Sequence, residues 1–557
     1  MSQINKIAVI SAGNMGSGIA QKIAQEGINV VMVDIKEELV ERGINTIRQT
    51  LKEAVERKIL NSEQLHDVLS RIIGTCDFEI VADADLVIEA VFEDKQVKFD
   101  LFDKLDRICS DKTILATNTS SFYVHEFADN TSRPDRFIGL HYFYHPAKNR
   151  LLEVIPHEKT SAATVEKSLL AAKLHGKTAI VVKDAPGFAV NRFFVPFLNE
   201  AARMLEEDVA DIPTIEEAAK QAFKIGMGPF ELMNVTGIPI AVHASTTLGN
   251  ELGPFYATAE IIKDQKDQNE NWDLSGDVDD SKLEEVKDRF YGVCLGVAAA
   301  LVDEGVASIE DTDRGAKIGL RWLMGPFEIM NKIGVERTHA AVASITEKYA
   351  DFKMPQILVR QKKLGVPFAF RFVDLEIKGH IATITLNRPE AMNALNDEMT
   401  AEILAVLKQY AEDPKVKGFI ITGYGTTAFS AGADVGKFPS MLGDPEASAQ
   451  YARDCAKVQM FMDQMDKPVV AAVNGLALGG GLEIAIRCHS MVATKNATLQ
   501  FPEISLGILP GIGGCVVPYR KWPQGADLFH EMICLAKPIG ADEAAGIGMI
   551  SRSRRRI

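Results

Sequence analysis

A histidine, His141, sits near the end of the apolar run GLHYF, and a glutamate, Glu153, lies inside the next one, LLEVI. An unpaired carboxylate buried among leucine, valine and isoleucine is costly. Either the two polar groups pair with each other, or both face a cleft. Paired, they have a chemical use: a histidine oriented by a carboxylate is a base for the hydroxyl proton when an alcohol gives up hydride. That use requires His141 and Glu153 to meet across adjacent strands. Read alone, the stretch is better taken as a satisfied core histidine beside an unrelated acid.

A second constellation lies at the start of the chain, where residues 7–20 read IAVISAGNMGSGIA. An apolar strand runs into a turn containing Ser11, Gly13, Met15 and Gly16, and a helix rich in small residues follows. Gly13 lets backbone approach a pyrophosphate, and Gly16 lets the helix pack on the strand. Asp34 closes the next strand, placed to accept hydrogen bonds from a ribose diol and to repel a 2′-phosphate, which favours NAD over NADP. A lone glycine motif says little. Strand, turn, helix, strand and acid in this order say much more.

Both constellations need elements to hold them. With 557 residues, the chain is too long for one ordinary core, and 46% hydrophobic with 25% charged residues reads as soluble and globular. A net charge of −15 argues against nucleic acid or an anionic membrane as partner. No stretch reads as a signal peptide or transmembrane helix. The seven cysteines form no CxxC pair, so they suit reduced thiols in a cytoplasm and give neither a metal nor a disulfide framework. Up to about residue 185, short apolar strands (KIAVIS, NVVMVDI, ADLVIEAV, TILATNTSS) alternate with amphipathic stretches, which predicts a parallel sheet with helices on both faces.

Beyond DAPGF (184–188) the pattern turns helical and repeats itself. NRFFVPFLNEAARMLEEDVADI (191–212) aligns with DRFYGVCLGVAAALVDEGVASI (288–309), and AKQAFKIGMGPFELMNVTG (219–237) with AKIGLRWLMGPFEIMNKIG (316–334), at one constant offset. Two copies of one helical unit are therefore expected, with the polar stretch 263–282 between them as an exposed loop. The shared MGPFE reads as a helix-start motif that packs the copies together. From about 371 a separate α/β domain begins, and it has no second strand–GxGxxG–helix unit.

Over roughly residues 4–370 the sequence resembles the L-3-hydroxyacyl-CoA dehydrogenase family, through EAVFEDKQVK (89–98), ATNTSS (116–121), GLHYFYHP…LLEVI and DAPGFAVNR (184–192). The resemblance implies His141 as the base, Glu153 as its orienting partner, and Ser120 and Asn191 as residues holding the substrate near its reacting oxygen and thioester. Glu93 and Lys98 match positions lining the nucleotide end. Two positions depart from the family: Ser11 stands for its usual first glycine, and Tyr144 for its usual asparagine three residues after the histidine. His145 is read as structural.

Over residues 372–550 the chain resembles the enoyl-CoA hydratase (crotonase) family, through LNRPEAMNAL (386–395), FSAGADV (429–435), NGLALGGGLEIAIRC (474–488) and FPEISLGILPGIGG (501–514). Ala433 and Gly480 occupy its oxyanion-hole positions, and Glu483 and Glu503 match both family glutamates. The family continues with helices that close the acyl-CoA site, whereas this sequence stops at GMISRSRRRI, read as a premature end or a short solvated basic tail. The implied organisation is a Rossmann-type NAD-binding domain (1–184), a first helical domain (185–285), a second helical repeat (286–370) and an incomplete crotonase-like α/β domain (371–557). The implied function is a cytoplasmic, homo-oligomeric, bifunctional β-oxidation-type enzyme acting on acyl-CoA substrates with NAD and without metal. A dehydrogenase with an inactive crotonase domain, or a nucleotide-binding protein without turnover, are the alternatives.

Overall fold

The computed structural model describes residues 4–436 and 443–554. The chain divides into two units, Met1–Ala369 and Phe370–Ile557.

The first unit is built on an eight-stranded sheet: β1 (Lys6–Ile10), β2 (Asn29–Val33), β3 (Ile72–Thr75), β4 (Leu86–Glu89), β5 (Ile114–Thr117), β6 (Phe137–Tyr142), β7 (Leu151–Ile155) and β8 (Thr178–Val181), in the order 3-2-1-4-5-6-7-8. Strands covered on both faces read as continuous apolar runs, and every residue of β4, β5, β6 and β7 is buried. All neighbours pair in parallel except β6 and β7. The segment joining those two is too short for a crossover and can only return antiparallel. The fully parallel sheet expected from the alternation is corrected at this one pair, which is the pair that carries His141 and Glu153.

Behind the sheet the helical repeat folds as two matching sets. Val190–Glu206, Ile212–Phe223, Pro229–Thr236, Ile238–Leu252 and Glu260–Gln268 correspond to Leu283–Asp303, Ile309–Arg314, Pro326–Ile333, Val335–Lys348 and Gln356–Leu364. The copies exchange equivalent contacts. Arg192 of the first pairs with Glu304 of the second at 2.5 Å, and Arg289 of the second with Glu207 of the first at 3.0 Å. Phe255 stacks on its counterpart Phe352 with centroids 4.4 Å apart. The shared MGPFE starts a helix in each copy, capped from outside by a buried carboxylate. Glu216 accepts from Phe230 and Glu231 N–H, and Asp313 from Phe327 and Glu328 N–H. The polar stretch 263–282 is only partly loop: its start is the helix Glu260–Gln268, and Trp272 is buried edge-on against Phe230, pinned through both backbone groups by Asn234.

The second unit contains a six-stranded and a four-stranded sheet. Its strands are β9 (Val373–Lys378), β10 (Ile381–Leu386), β11 (Gly418–Gly423), β12 (Ala428–Ser430), β13 (Val469–Val473), β14 (Leu476–Leu478), β15 (Ser490–Thr494), β16 (Thr498–Gln500), β17 (Ile539–Gly540) and β18 (Arg552–Arg554). The larger sheet runs 18-15-13-11-10-9 and the smaller 12-14-16-17. In the smaller, β12, β14 and β16 are parallel neighbours, so their C-terminal ends emerge side by side. The basic end is not wholly a solvated tail, since β18 pairs in parallel with β15; residues 555–557 lie outside the described residues.

Candidate active sites

In the antiparallel register of β6 and β7, His141 stands directly opposite Glu153, and such partners project from one face of the sheet. Nδ1 of His141 donates to Glu153 Oε2 at 2.6 Å. The other carboxylate oxygen accepts from the N–H groups of Ala189 and Val190, at 3.1 and 3.0 Å, where the helix Val190–Glu206 begins. Unsatisfied N–H groups and the helix dipole favour a negative charge there. A fully buried carboxylate is therefore tolerated because three donors converge on it. The rings of Phe143 and Phe188 flank the imidazole, and Nε2 is left to take a proton.

The loop after β5 brings Ser120 to this end of the sheet, and Glu93 is the hub that shapes it. Its Oε1 accepts from Thr119 Oγ1 (2.6 Å), Ser120 N–H (3.0 Å) and Ser121 N–H (3.1 Å). Burial pushes the Glu93 carboxyl upward, but Lys98 and these donors outweigh it and hold the group below its ordinary range. Lys98 is itself buried, 2.5 Å from Glu89 and 3.1 Å from Glu93; its ammonium braces these acids. Asn118 ties the same loop to the histidine strand by accepting from Tyr142 N–H at 2.8 Å. Asn191 lies in the first turn of the helix that holds Glu153. Sequence reasoning missed Glu89 and Asn118, although Glu89 and Glu93 ahead of Lys98 in EAVFEDKQVK were an available signal.

At the other constellation the helix Asn14–Gln25 starts straight after Gly13. A Cβ on Gly16 would lie 2.0 Å from the Ser11 carbonyl oxygen, so only glycine lets the helix come this close. Met15 stands in the first turn, partly buried against the core of the sheet. Ser11, where glycine was expected, adopts φ +124°, a conformation that suits glycine. Its hydroxyl accepts from Gly13 N–H at 3.1 Å. Asp34 closes off β2 and accepts from Ala12 N–H at 2.7 Å, which joins the acid to the turn. A helix N-terminus behind a turn of small residues, with a carboxylate at the next strand end, fits a dinucleotide.

In the second unit, the parallel strands of the smaller sheet deliver the remaining residues to one edge. After β14 the helix Gly479–Arg487 carries Glu483, and after β16 a short turn carries Glu503. Glu483 accepts from Ile512 N–H (2.9 Å) and Gly514 N–H (2.8 Å). Burial raises its carboxyl, while these donors favour the charged form. Glu503 is pushed up to about 7 by burial, and its Oε2 is buried without a hydrogen-bond partner. Both carboxyls are raised, Glu503 the more clearly, a difference of surroundings from which one acid and one base can be drawn. After β12 comes Ala433, bridged in parallel to Leu395. Leu395 N–H donates to Gly432 carbonyl and Asp434 N–H to Leu395 carbonyl, both at 2.8 Å. Ala433's own N–H therefore points the opposite way, towards Gly480: a Cβ built there would sit 3.6 Å from it. Gly480 N–H lies in the first turn of its helix, where backbone donors lack intrahelical partners. Together they make a pair of N–H donors suited to a developing oxyanion.

Comparison with known proteins adds the following. Residues 6–185 match the 3-hydroxyacyl-CoA dehydrogenase, NAD binding domain, and residues 187–276 and 286–368 match the 3-hydroxyacyl-CoA dehydrogenase, C-terminal domain. Residues 376–554 match enoyl-CoA hydratase/isomerase. The chain is 32% identical over 392 residues to a fatty acid oxidation complex subunit alpha of Shewanella amazonensis, covering 64% of this chain and 55% of that one. It is 33% identical over 376 residues to the Vibrio cholerae subunit of the same name, covering 62% and 53%. The chain thus spans about half the length of the curated relatives it matches. A crystal structure of 3-hydroxybutyryl-CoA dehydrogenase from Escherichia coli shares the fold, with a TM-score of 0.61 at 23% identity over 65% of this chain and 99% of that one.

Proposed function

The chain belongs to the 3-hydroxyacyl-CoA dehydrogenase family and carries an enoyl-CoA hydratase/isomerase domain behind it, and we propose that it performs two consecutive steps on acyl-CoA thioesters. The second unit hydrates a trans-2-enoyl-CoA to the (S)-3-hydroxyacyl-CoA, and the first oxidises that product to the 3-ketoacyl-CoA. The observation that carries the reading is the His141–Glu153 pair, clamped by a helix N-terminus beside the Ser120 loop.

In the first unit, His141 Nε2 takes the hydroxyl proton, and Glu153 stabilises the imidazolium that results. Ser120 and Asn191 orient the hydroxyl and thioester. Bound NAD is the hydride acceptor. Gly13 and Gly16 would hold its pyrophosphate and Asp34 its ribose, with Ser11, Met15, Glu93 and Lys98 shaping that end. In the second unit, the Ala433 and Gly480 N–H groups stabilise the thioester enolate. Glu483, raised by burial but with that rise partly offset by backbone donors, deprotonates the attacking water. Glu503, protonated near neutrality, delivers the proton to the α-carbon. Cytoplasmic residence and a homo-oligomer belong to the same reading. Seven unpaired cysteines suit the first of these; among the described residues, no helix is long and apolar enough to cross a membrane.

The test is one cuvette. Crotonyl-CoA is added to purified protein and the enoyl-thioester absorbance followed, then NAD is added and NADH followed. Loss of the enoyl signal before NAD, then NADH growth, is the expected result. NADH formed only from supplied (S)-3-hydroxybutyryl-CoA would leave a dehydrogenase alone, and neither signal would reject both halves.

A further inference from the structure

We propose that Arg388 and Asp434 form the device that aims the Ala433 N–H, making Arg388 a positioning residue for hydration. The inference rests on the hydratase reading given above.

The N–H of Ala433 is useful only if the segment 432–434 is held at a fixed angle to the helix that starts at Gly479. Two backbone hydrogen bonds to Leu395 set which way that N–H faces, but Leu395 itself follows an unusual turn. Met392 and Asn393 both have positive φ, at +50° and +57°. Asn393 stabilises that turn by accepting from Arg388 N–H at 3.1 Å and donating to the carbonyls of Tyr424 and Ala428. The Arg388 guanidinium then reaches across both segments at once. Nη1 donates to Asp434 Oδ2 at 2.7 Å and to Ala394 carbonyl at 3.3 Å. One planar cation therefore ties the residue before Leu395 to the residue after Ala433. The other oxygen of Asp434 accepts from Gly436 N–H at 3.1 Å, so the carboxylate is fixed from both sides.

An ion pair kept only for stability has little reason to sit here, because a partly exposed pair contributes little. A guanidinium with two fixed acceptors gives direction as well as energy. Directional precision at an oxyanion donor is what catalysis needs, since an N–H counts only where it meets the developing charge.

The experiment uses the full chain, whose dehydrogenase reaction reports on integrity in the same sample. In Arg388→Met, kcat for crotonyl-CoA hydration is expected to fall about 10- to 100-fold, below the loss for removing an oxyanion donor outright. Its KM should change little, oxidation of (S)-3-hydroxybutyryl-CoA should be unchanged, and Arg388→Lys should recover part of the loss. Binding of cinnamoyl-CoA gives a second readout. A polarised thioester carbonyl shifts its absorption to the red, and that shift should shrink in Arg388→Met. Should this variant leave the second unit unfolded, Asp434→Asn decides, because it keeps an acceptor for Gly436. Unchanged hydration kcat with a lowered Tm would overturn the proposal and leave a structural ion pair. A wild-type chain that oxidises hydroxyacyl-CoA but never hydrates crotonyl-CoA would instead overturn the hydratase reading, and the proposal with it.

Discussion

Replacing Glu153 with glutamine tests the dehydrogenase chemistry most sharply, because the structure dictates which way the amide must turn. The N–H groups of Ala189 and Val190 can only donate, and they already bind one oxygen of residue 153. The glutamine carbonyl must take that place, which turns its NH₂ towards His141 Nδ1. An NH₂ group cannot accept, so Nδ1 must give up its proton and Nε2 must carry it. The nitrogen that should accept the hydroxyl proton is then already protonated. In serine proteases, where a carboxylate likewise orients the catalytic histidine, turning that carboxylate into an amide costs about 10⁴ in kcat through the same tautomer change. The same logic gives a loss of about 10³–10⁴ here, or about 4–5 kcal/mol of barrier. Because the side chains have the same shape, folding and NAD affinity should be nearly unchanged. The assay is NADH formation from saturating (S)-3-hydroxybutyryl-CoA, alongside NAD binding by fluorescence and a melting curve. A variant that folds, binds NAD and keeps kcat within tenfold of wild type would refute the reasoning.

Three further outcomes are expected. Glu503 carries a raised carboxyl, so the native state keeps a proton that the unfolded chain loses between the ordinary carboxylate value and about 7. Stability therefore falls as pH rises through that window, and hydration should fall as pH passes about 7, read from kcat/KM for crotonyl-CoA across pH; Glu503→Gln should remove the stability trend and the activity together. Asp313 is raised well above its usual range, first by burial and then by Glu328, and it caps two N–H groups. Phe327 and Glu328 donate to different oxygens of Asp313, so Asp313→Asn should lose one of the two caps, because an amide NH₂ cannot accept, and Asp313→Ala should cost about 2 kcal/mol in urea unfolding by orphaning both donors. Ser11→Gly should stabilise the first unit by about 1 kcal/mol by relieving the positive φ; it also frees Gly13 N–H, so NAD should bind more tightly in a calorimetric titration.

Much of this protein was legible from local signals. Strand, turn, helix and acid follow one another at the nucleotide end, and steric necessity makes them readable: a Cβ at Gly16 would collide with the Ser11 carbonyl. The helical duplication was legible for a different reason, since equivalent residues keep equivalent partners, as Arg192–Glu304 and Arg289–Glu207 do. Harder to read was anything set by strand order. Trp272 lies in a polar stretch and gives no sign that Asn234 and Phe230 will bury it. The role of Lys98 was also hidden, because its closest partner, Glu89, sits at a strand end and meets the lysine only when the fold closes.

The sequence by itself determined which residues are available for chemistry: His141, Glu153, Ser120, Glu483, Glu503 and the glycines whose lack of a side chain lets backbone approach. Those choices are local, and composition, order and resemblance expose them. Only the tertiary structure decided how the residues meet. The single antiparallel pairing in an otherwise parallel sheet sets His141 opposite Glu153, and the side-by-side ends of β12, β14 and β16 bring Ala433, Gly480, Glu483 and Glu503 to one edge. Register and strand order depend on contacts between residues far apart in the chain, and burial then fixes which groups carry charge.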